Sequence, residues 1–218
     1  MTPAERKERS EKILREKGIG VNDALPMIEP ASQVNMRSLD AICRRALSAI
    51  ISTQIGCAIG AEDTDQVRYF IGLIQHYGLE LNLNPKEMLL INGKFTGTDV
   101  TEVIWEYEDF WAIAWAMGLV DDITDANEIC DVEAAVRLVS SCQTLEEFKN
   151  KCHPRDIDEI LDMLDLYFRY SWAVVRKDTV DPDCPTGGLN GQVVFERRRG
   201  LEWLFSNTDN WFDLTLAT

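Results

Sequence analysis

The residues of this chain that could do chemistry are arginines and carboxylates set into otherwise apolar helical stripes. In "QVVFERRRGLEWLF", Gln192 to Phe205, a rotation of about 100° per residue puts Val193, Val194, Leu201 and Leu204 on one face, with Arg197 in its middle. Glu196 shares a flank with Trp203, while Arg198 and Arg199 point elsewhere. In the stretch from Arg155 to Lys177, the residues Asp158, Asp162, Asp165, Arg169, Trp172 and Arg176 form a seam beside a core stripe of Ile157, Ile160, Leu161, Leu164, Phe168 and Val175. In "TDVTEVIWEYEDFWAIAWAMG", Glu108 projects at the edge of a face made by Ile104, Tyr107, Trp111, Ala114 and Trp115. Two chemistries fit. A buried arginine needs a carboxylate, so Arg197 should be covered and tied to Glu108 or to an aspartate of the seam. The alternative is an enzyme pocket in which Glu108 or a seam aspartate is a general base while Arg169 and Arg197 hold an anionic small molecule. Glu108, Asp165, Arg169, Trp172, Glu196 and Arg197 are therefore the candidate ligand-binding residues. Angular position puts Asp165 nearest an arginine and turns Asp158 and Asp162 to solvent.

Other chemistries find little support. The only histidines are His76 and His153, with no serine–histidine or cysteine–histidine arrangement around them. The six cysteines, Cys43, Cys57, Cys130, Cys142, Cys152 and Cys184, contain no C-x-x-C pair, which argues against structural zinc. Asp158, Asp162 and Asp165 with Glu108 would suit magnesium or calcium, but no ligand loop accompanies them, and the E-x-x-H of di-iron bundles is missing. The loop "PTGGLNG" runs into the helix bearing the arginines yet matches neither a Walker motif nor a dinucleotide fingerprint. No metal and no cofactor is expected.

Helices must position these residues, and the punctuation is helical almost throughout. Residues 3–18 form a charged N-terminal helix, set apart as a peripheral element and closed by Gly18. Ser38 caps a helix to about Cys57, and Asp63 or Thr64 starts one that ends at Gly78. Asn84 and Pro85 open a short helix, Thr98 caps a long one to Gly118, and "DVEAAVRLVSS" gives another. Thr144 and Glu147 make a capping box, Pro154 opens a long helix to about Lys177, and Gln192 to Asn207 is the last. Parts of "VNDALPMI" and "FDLTL" are the only candidates for extended segments. The fold class is all-α: one compact multi-helix domain over residues 1–218 with long central helices. A second apolar strip, Met163, Leu166 and Tyr170, makes the 155–177 helix either central or part of a homodimer face.

The chain's 218 residues carry a net charge of −15, unevenly placed. From Thr98 to Asp165 there are 18 acidic side chains against 4 basic ones, a local net of −14. Phosphate backbones repel such a surface, so nucleic acid is not an expected partner, whereas a basic protein or a bound cation is compatible with it but not required by it. The start "MTPAERKERSEKIL" has no apolar signal core, and the longest uncharged run, Phe110 to Val120, is too short for a bilayer. A soluble cytoplasmic protein with reduced cysteines and no membrane contact is the expectation.

Three stretches, "EDFWAIAWAMGLVDDI", "ILDMLDLYFRYSWAV" and "VVFERRRGLEWLFSNTDNWFDLTLAT", resemble the domain of unknown function 4272 family. So does the opening "RSEKILREKGIGVNDALP", so the likeness spans nearly the whole chain. Glu108, Asp165, Arg169, Trp172, Glu196, Arg197, Trp203, Trp211 and Asp213 fall on the family's motif positions. Met117 departs from its W-A-L-G motif, Gly200 replaces a small alanine, Glu202 an asparagine and Ala217 an aspartate. The resemblance implies a mostly helical fold and no known activity. The expected function is that of an uncharacterised binding or interaction domain with an acidic surface, ahead of the enzyme alternative. A catalytic pocket would expose Glu108 and Arg169 together, and a purely structural role would seal both.

Overall fold

A computed structural model of the chain describes residues 1–217; Thr218, the last residue of the expected domain, lies outside them. The described residues form helices α1 (Pro3–Glu16), α2 (Leu39–Gly60), α3 (Thr64–His76), α4 (Pro85–Ile91), α5 (Gly97–Ala116), α6 (Val132–Ser140), α7 (Leu145–Lys151), α8 (Ile157–Thr179) and α9 (Gly191–Trp203). The fold is all-α, and the expected extended segments form no strand. A single antiparallel bridge joins Ile19 to Thr186, and "FDLTL" begins in a 3-10 turn over Trp211–Asp213.

The long helices pack in the order α3, α2, α5, α9, α8, α1, with α4, α6 and α7 filling the flanks. The centre is α5, between α2 and α9. It is buried almost all round, and α2 buries residues on every side from Ile42 to Ile55. The α5–α9 crossing is close because Gly200 has no side chain. A Cβ there would stand 2.7 Å from the Asp109 carbonyl oxygen of α5, so the alanine of the resembled pattern would not fit without the helices moving apart. Met163, Leu166 and Tyr170 of α8 are all buried within the chain, so α8 is central and this strip is not a free face.

Local chemistry sets the helix ends. Thr96, not Thr98, caps α5, because its hydroxyl accepts from the Asp99 backbone N–H while Asp99 reaches back to Thr96 in a capping box. Asp156, not Pro154, caps α8; residues 152–156 are instead a connector whose backbone docks on the end of α5, with His153 N–H donating to the Met117 carbonyl and Arg155 N–H to that of Ala116. The last helix stops at Trp203, before Asn207.

The helix set apart at residues 3–18 lies against α8, and a charged residue docks it. Arg6 is fully buried: its guanidinium donates to Asp158 at 2.7 Å and to Asp162 at 2.8 Å, and exposed Arg9 adds a 2.9 Å contact to Asp162. Asp158 and Asp162 are thus half-buried and ion-paired, contrary to their expected solvent-facing position, and they lie as close to an arginine as Asp165, whose nearest contact is 2.9 Å to Arg169. The acidic seam of α8 attracts the basic face of α1, which relieves the repulsion among its aspartates.

Candidate functional site

Arg197 is buried on α9, and its Nε donates to Glu108 Oε2 of α5 at 2.7 Å with both side chains at most 3% exposed. The pair does more than join two helices. Arg197 Nη1 donates to the Asp125 carbonyl at 2.6 Å and to the Tyr167 hydroxyl at 3.2 Å, and Nη2 to the Glu128 carbonyl at 3.4 Å. The other Glu108 oxygen accepts from the Cys130 backbone N–H at 2.6 Å. Arginine's planar fork of five donors suits this divergent set, and lysine would not replace it. Burial works against the guanidinium charge, but Tyr167 and Glu108 outweigh it and hold the group firmly protonated. Burial pushes the Tyr167 phenol up to about 12, which keeps its proton available for the Ile123 carbonyl.

The groups so held belong to one segment, the connector between α5 and α6 around residues 119–131. Arg155 donates to the carbonyls of Val120 at 3.0 Å and Asp121 at 3.1 Å. Tyr167 donates to Ile123 at 2.6 Å, and Tyr170 and Lys17 each to Thr124 at 3.2 Å. The Asn190 backbone N–H donates to Ala126 at 2.9 Å. Ile123, Ala126 and Cys130 turn inward and are buried, while Asp121, Asp122, Asp125, Glu128 and Ile129 are exposed. A long irregular connector fastened from beneath thus presents four acids with no ion-pair partner among the described residues. This sequence was legible as acidic, but the fastening was not, because it depends on backbone carbonyls that carry no residue signature.

The remaining candidates lie apart from this tie. Asp165 and Arg169 form a bidentate pair along α8, with both contacts at 2.9 Å, and Arg169 also approaches Glu11 of α1 at 3.6 Å and donates to the Pro26 carbonyl at 3.3 Å. Trp172 is half-buried against the core. Glu196 contacts Arg199, whose guanidinium forks onto both Asp109 oxygens at 2.9 and 2.6 Å. The three arginines of "ERRRG" are all buried, so Arg198 and Arg199 do not point away as expected; Arg198 donates to Ser171 at 3.1 Å and to the Ala217 carbonyl at 2.9 Å. The C-terminal segment folds over this side, and so gives Arg198 and Arg199 a cover that helical periodicity could not show.

A second set of buried charges completes the interior. Arg45 of α2 pairs with Glu87 of α4 and lies 3.7 Å from Glu106 of α5. Asn84 ties these together, its amide donating to Glu106 at 2.7 Å and its backbone N–H to Glu87 at 2.6 Å. Trp211 lies under both guanidinium planes, 4.4 Å from Arg45 and 5.7 Å from Arg199. Four buried carboxyls, Glu87, Glu106, Asp109 and Glu196, therefore face two guanidinium groups. Burial first, and then the neighbouring Glu87, push Glu106 well above the usual carboxylate range; burial and then Asp109 do the same to Glu196. These two acids favour the protonated form, which balances the cluster's charge.

The principal surface clefts, of about 210 to 410 Å³, are lined by other residues than the six candidates. Glu108 and Arg169 are both buried and belong to separate ties, so no pocket exposes them together. Among the described residues no helix is long and apolar enough to cross a membrane. The family model "Domain of unknown function (DUF4272)" matches residues 6–214. No curated protein and no solved structure matches the chain.

Proposed function

The chain belongs to the domain of unknown function 4272 family, and from its geometry we propose that it is a non-enzymatic binding domain that engages a basic protein partner through the acidic connector of residues 119–131. The observation that carries this reading is the fastening of that connector by the buried Arg197, Tyr167 and Tyr170, with Arg155, Asn190 and Lys17 adding to it from its edges. Fixing a loop in one shape before a partner arrives lowers the entropy cost of binding. Long irregular loops in compact domains are usually either functional or linker segments, and this one is ordered by its bonds to the rest of the fold. Asp121, Asp122, Asp125 and Glu128 are outward and unpaired, in the part of the chain where the local net charge is −14. Such a surface steers a cationic partner, repels nucleic acid, and repels its own copy, so it is not a homodimer interface. In this reading Glu108 and Arg197 are positioning residues beneath the surface, not groups that touch a ligand. The six free cysteines fit a reducing, cytoplasmic setting.

The test is a variant with Asp121→Asn, Asp122→Asn, Asp125→Asn and Glu128→Gln, compared with the unaltered chain for partners cross-linked in the native host. A basic partner should be captured by the unaltered chain. Its association with the variant should be slower by about tenfold or more at low salt and lose most of its salt dependence. Capture of the same partner at an unchanged rate and salt slope would overturn the proposal.

A further inference from the structure

Away from the acidic connector, two cysteines from distant parts of the chain meet in the interior. Cys43 on α2 and Cys152, which ends α7, are 109 positions apart, and their sulfur atoms lie 3.7 Å from each other. Both are free and buried. The Cys152 thiol donates to the Phe148 carbonyl at 3.4 Å, which leaves the Cys43 thiol to donate to Cys152 Sγ. Cys43 is sealed within α2. Cys152, 6% exposed, is the nearer of the two to solvent: it sits at the start of the α7–α8 connector between Lys151 and His153, both exposed.

We propose that Cys43 and Cys152 are a redox modification site, a dithiol that a small-molecule disulfide of the glutathione class converts to an intramolecular disulfide. Cys152, as thiolate, attacks one sulfur of the small disulfide. The Cys152–sulfur bond forms, the small S–S bond breaks, and one small thiolate leaves with the electron pair and takes up the proton released by Cys152. Cys43 then attacks Cys152 Sγ and the second small thiol departs with the proton from Cys43. The two cysteines together lose two electrons and two protons, and the small disulfide gains them. The direction of attack follows from the hydrogen bond between the sulfurs: donated by Cys43, it raises the Cys43 pKa and, received by Cys152, lowers that of Cys152. The sulfurs must close from 3.7 Å to about 2.05 Å for the bond to form. That connector also holds the end of α5, through His153 N–H on Met117 and Arg155 N–H on Ala116, so the new bond would staple α2 to the root of the acidic segment. The inference stands on the cysteines alone and does not need the binding reading.

The full-length chain, carrying Cys57→Ser to remove the exposed thiol, is incubated with oxidised glutathione and mapped by peptide mass spectrometry. The expected product is a single linkage between the Cys43 and Cys152 peptides, reversed by dithiothreitol, with no glutathione retained. In Cys43→Ser the reaction should stop at a glutathione adduct on Cys152, and in Cys152→Ser the Cys43 thiol should stay unmodified. Because the unaltered pair is itself mapped, the result does not depend on either serine variant folding. Persistence of both thiols at oxidant levels that modify Cys57 in the parent chain, or linkage of a different pair, would overturn the proposal.

Discussion

Truncating Arg197 would leave Glu108 as a buried charge without its cation and would strip the Asp125 and Glu128 carbonyls of their donors. Removing one partner of a buried ion pair costs about 3–5 kcal/mol, a large share of a domain's stability. Arg197→Ala should therefore unfold at clearly lower denaturant, and Arg197→Met should lose less because methionine keeps much of the volume. Equal unfolding midpoints for both variants and the unaltered chain would mean that the tie adds nothing to stability and that Arg197 serves ligand binding instead. The sequence pointed to this pair for a physical reason: a charge inside an apolar stripe stands out against the helical period. Glu106 and Asp109 gave no such signal. They lie on α5, which is buried almost all round, so no polar face existed to contrast with them. Arg45 was hidden in the same way within α2, although a charge in a helix buried on every side is itself a signature of a partner elsewhere.

At the scale of elements, charge and close contact decide which helices lie together. Alpha1 has little apolar surface, with Leu14 its one fully buried apolar side chain, and it is Arg6 on Asp158 and Asp162 that seats it on α8. A reading based on apolar stripes could not place it. Helix existence and order were legible because caps and glycine stops are local; the α5 and α8 starts slipped because two threonines compete at Thr96 and Thr98, and because Pro154 belongs to a docked connector. The α5–α9 crossing is set by Gly200. Adding the single carbon of alanine there pushes on the Asp109 backbone, which cannot rotate away, and loosens the Arg199 fork onto the same residue. Overpacking of this kind costs about 1–3 kcal/mol. Gly200→Ala should lower the thermal midpoint measurably, whereas Gly60→Ala, where a Cβ meets nothing within 4 Å, should leave it nearly unchanged.

At the scale of the whole molecule, the acidic character of the surface continues into the interior, where four carboxyls share two guanidinium groups across α2, α4, α5 and α9. The cluster is balanced when Glu106 and Glu196 keep their protons, and both are held well above the carboxylate range by burial and by the carboxyl beside each. In the unfolded chain these two acids release their protons near pH 4.3 or so, the usual value for glutamate. Above that pH the native state binds more protons than the unfolded state, so stability falls with rising pH until the native groups also titrate. The contribution is therefore fully present below the unfolded pKa and lost as pH climbs through the raised folded one. Half-buried acids with lowered pKa, such as Asp40, Asp63 and Asp99, contribute in the opposite sense, and at lower pH. A glutamine at position 106 mimics the protonated acid: its oxygen can accept from Asn84 and its amide can donate toward Glu87. Glu106→Gln and Glu196→Gln should each flatten the decline of the denaturant midpoint as pH rises above the unfolded glutamate value, with the variants gaining on the unaltered chain as pH climbs. Parallel curves for variant and unaltered chain across that range would mean that both acids are ionised in the folded protein, with the cluster's excess negative charge left standing in the core.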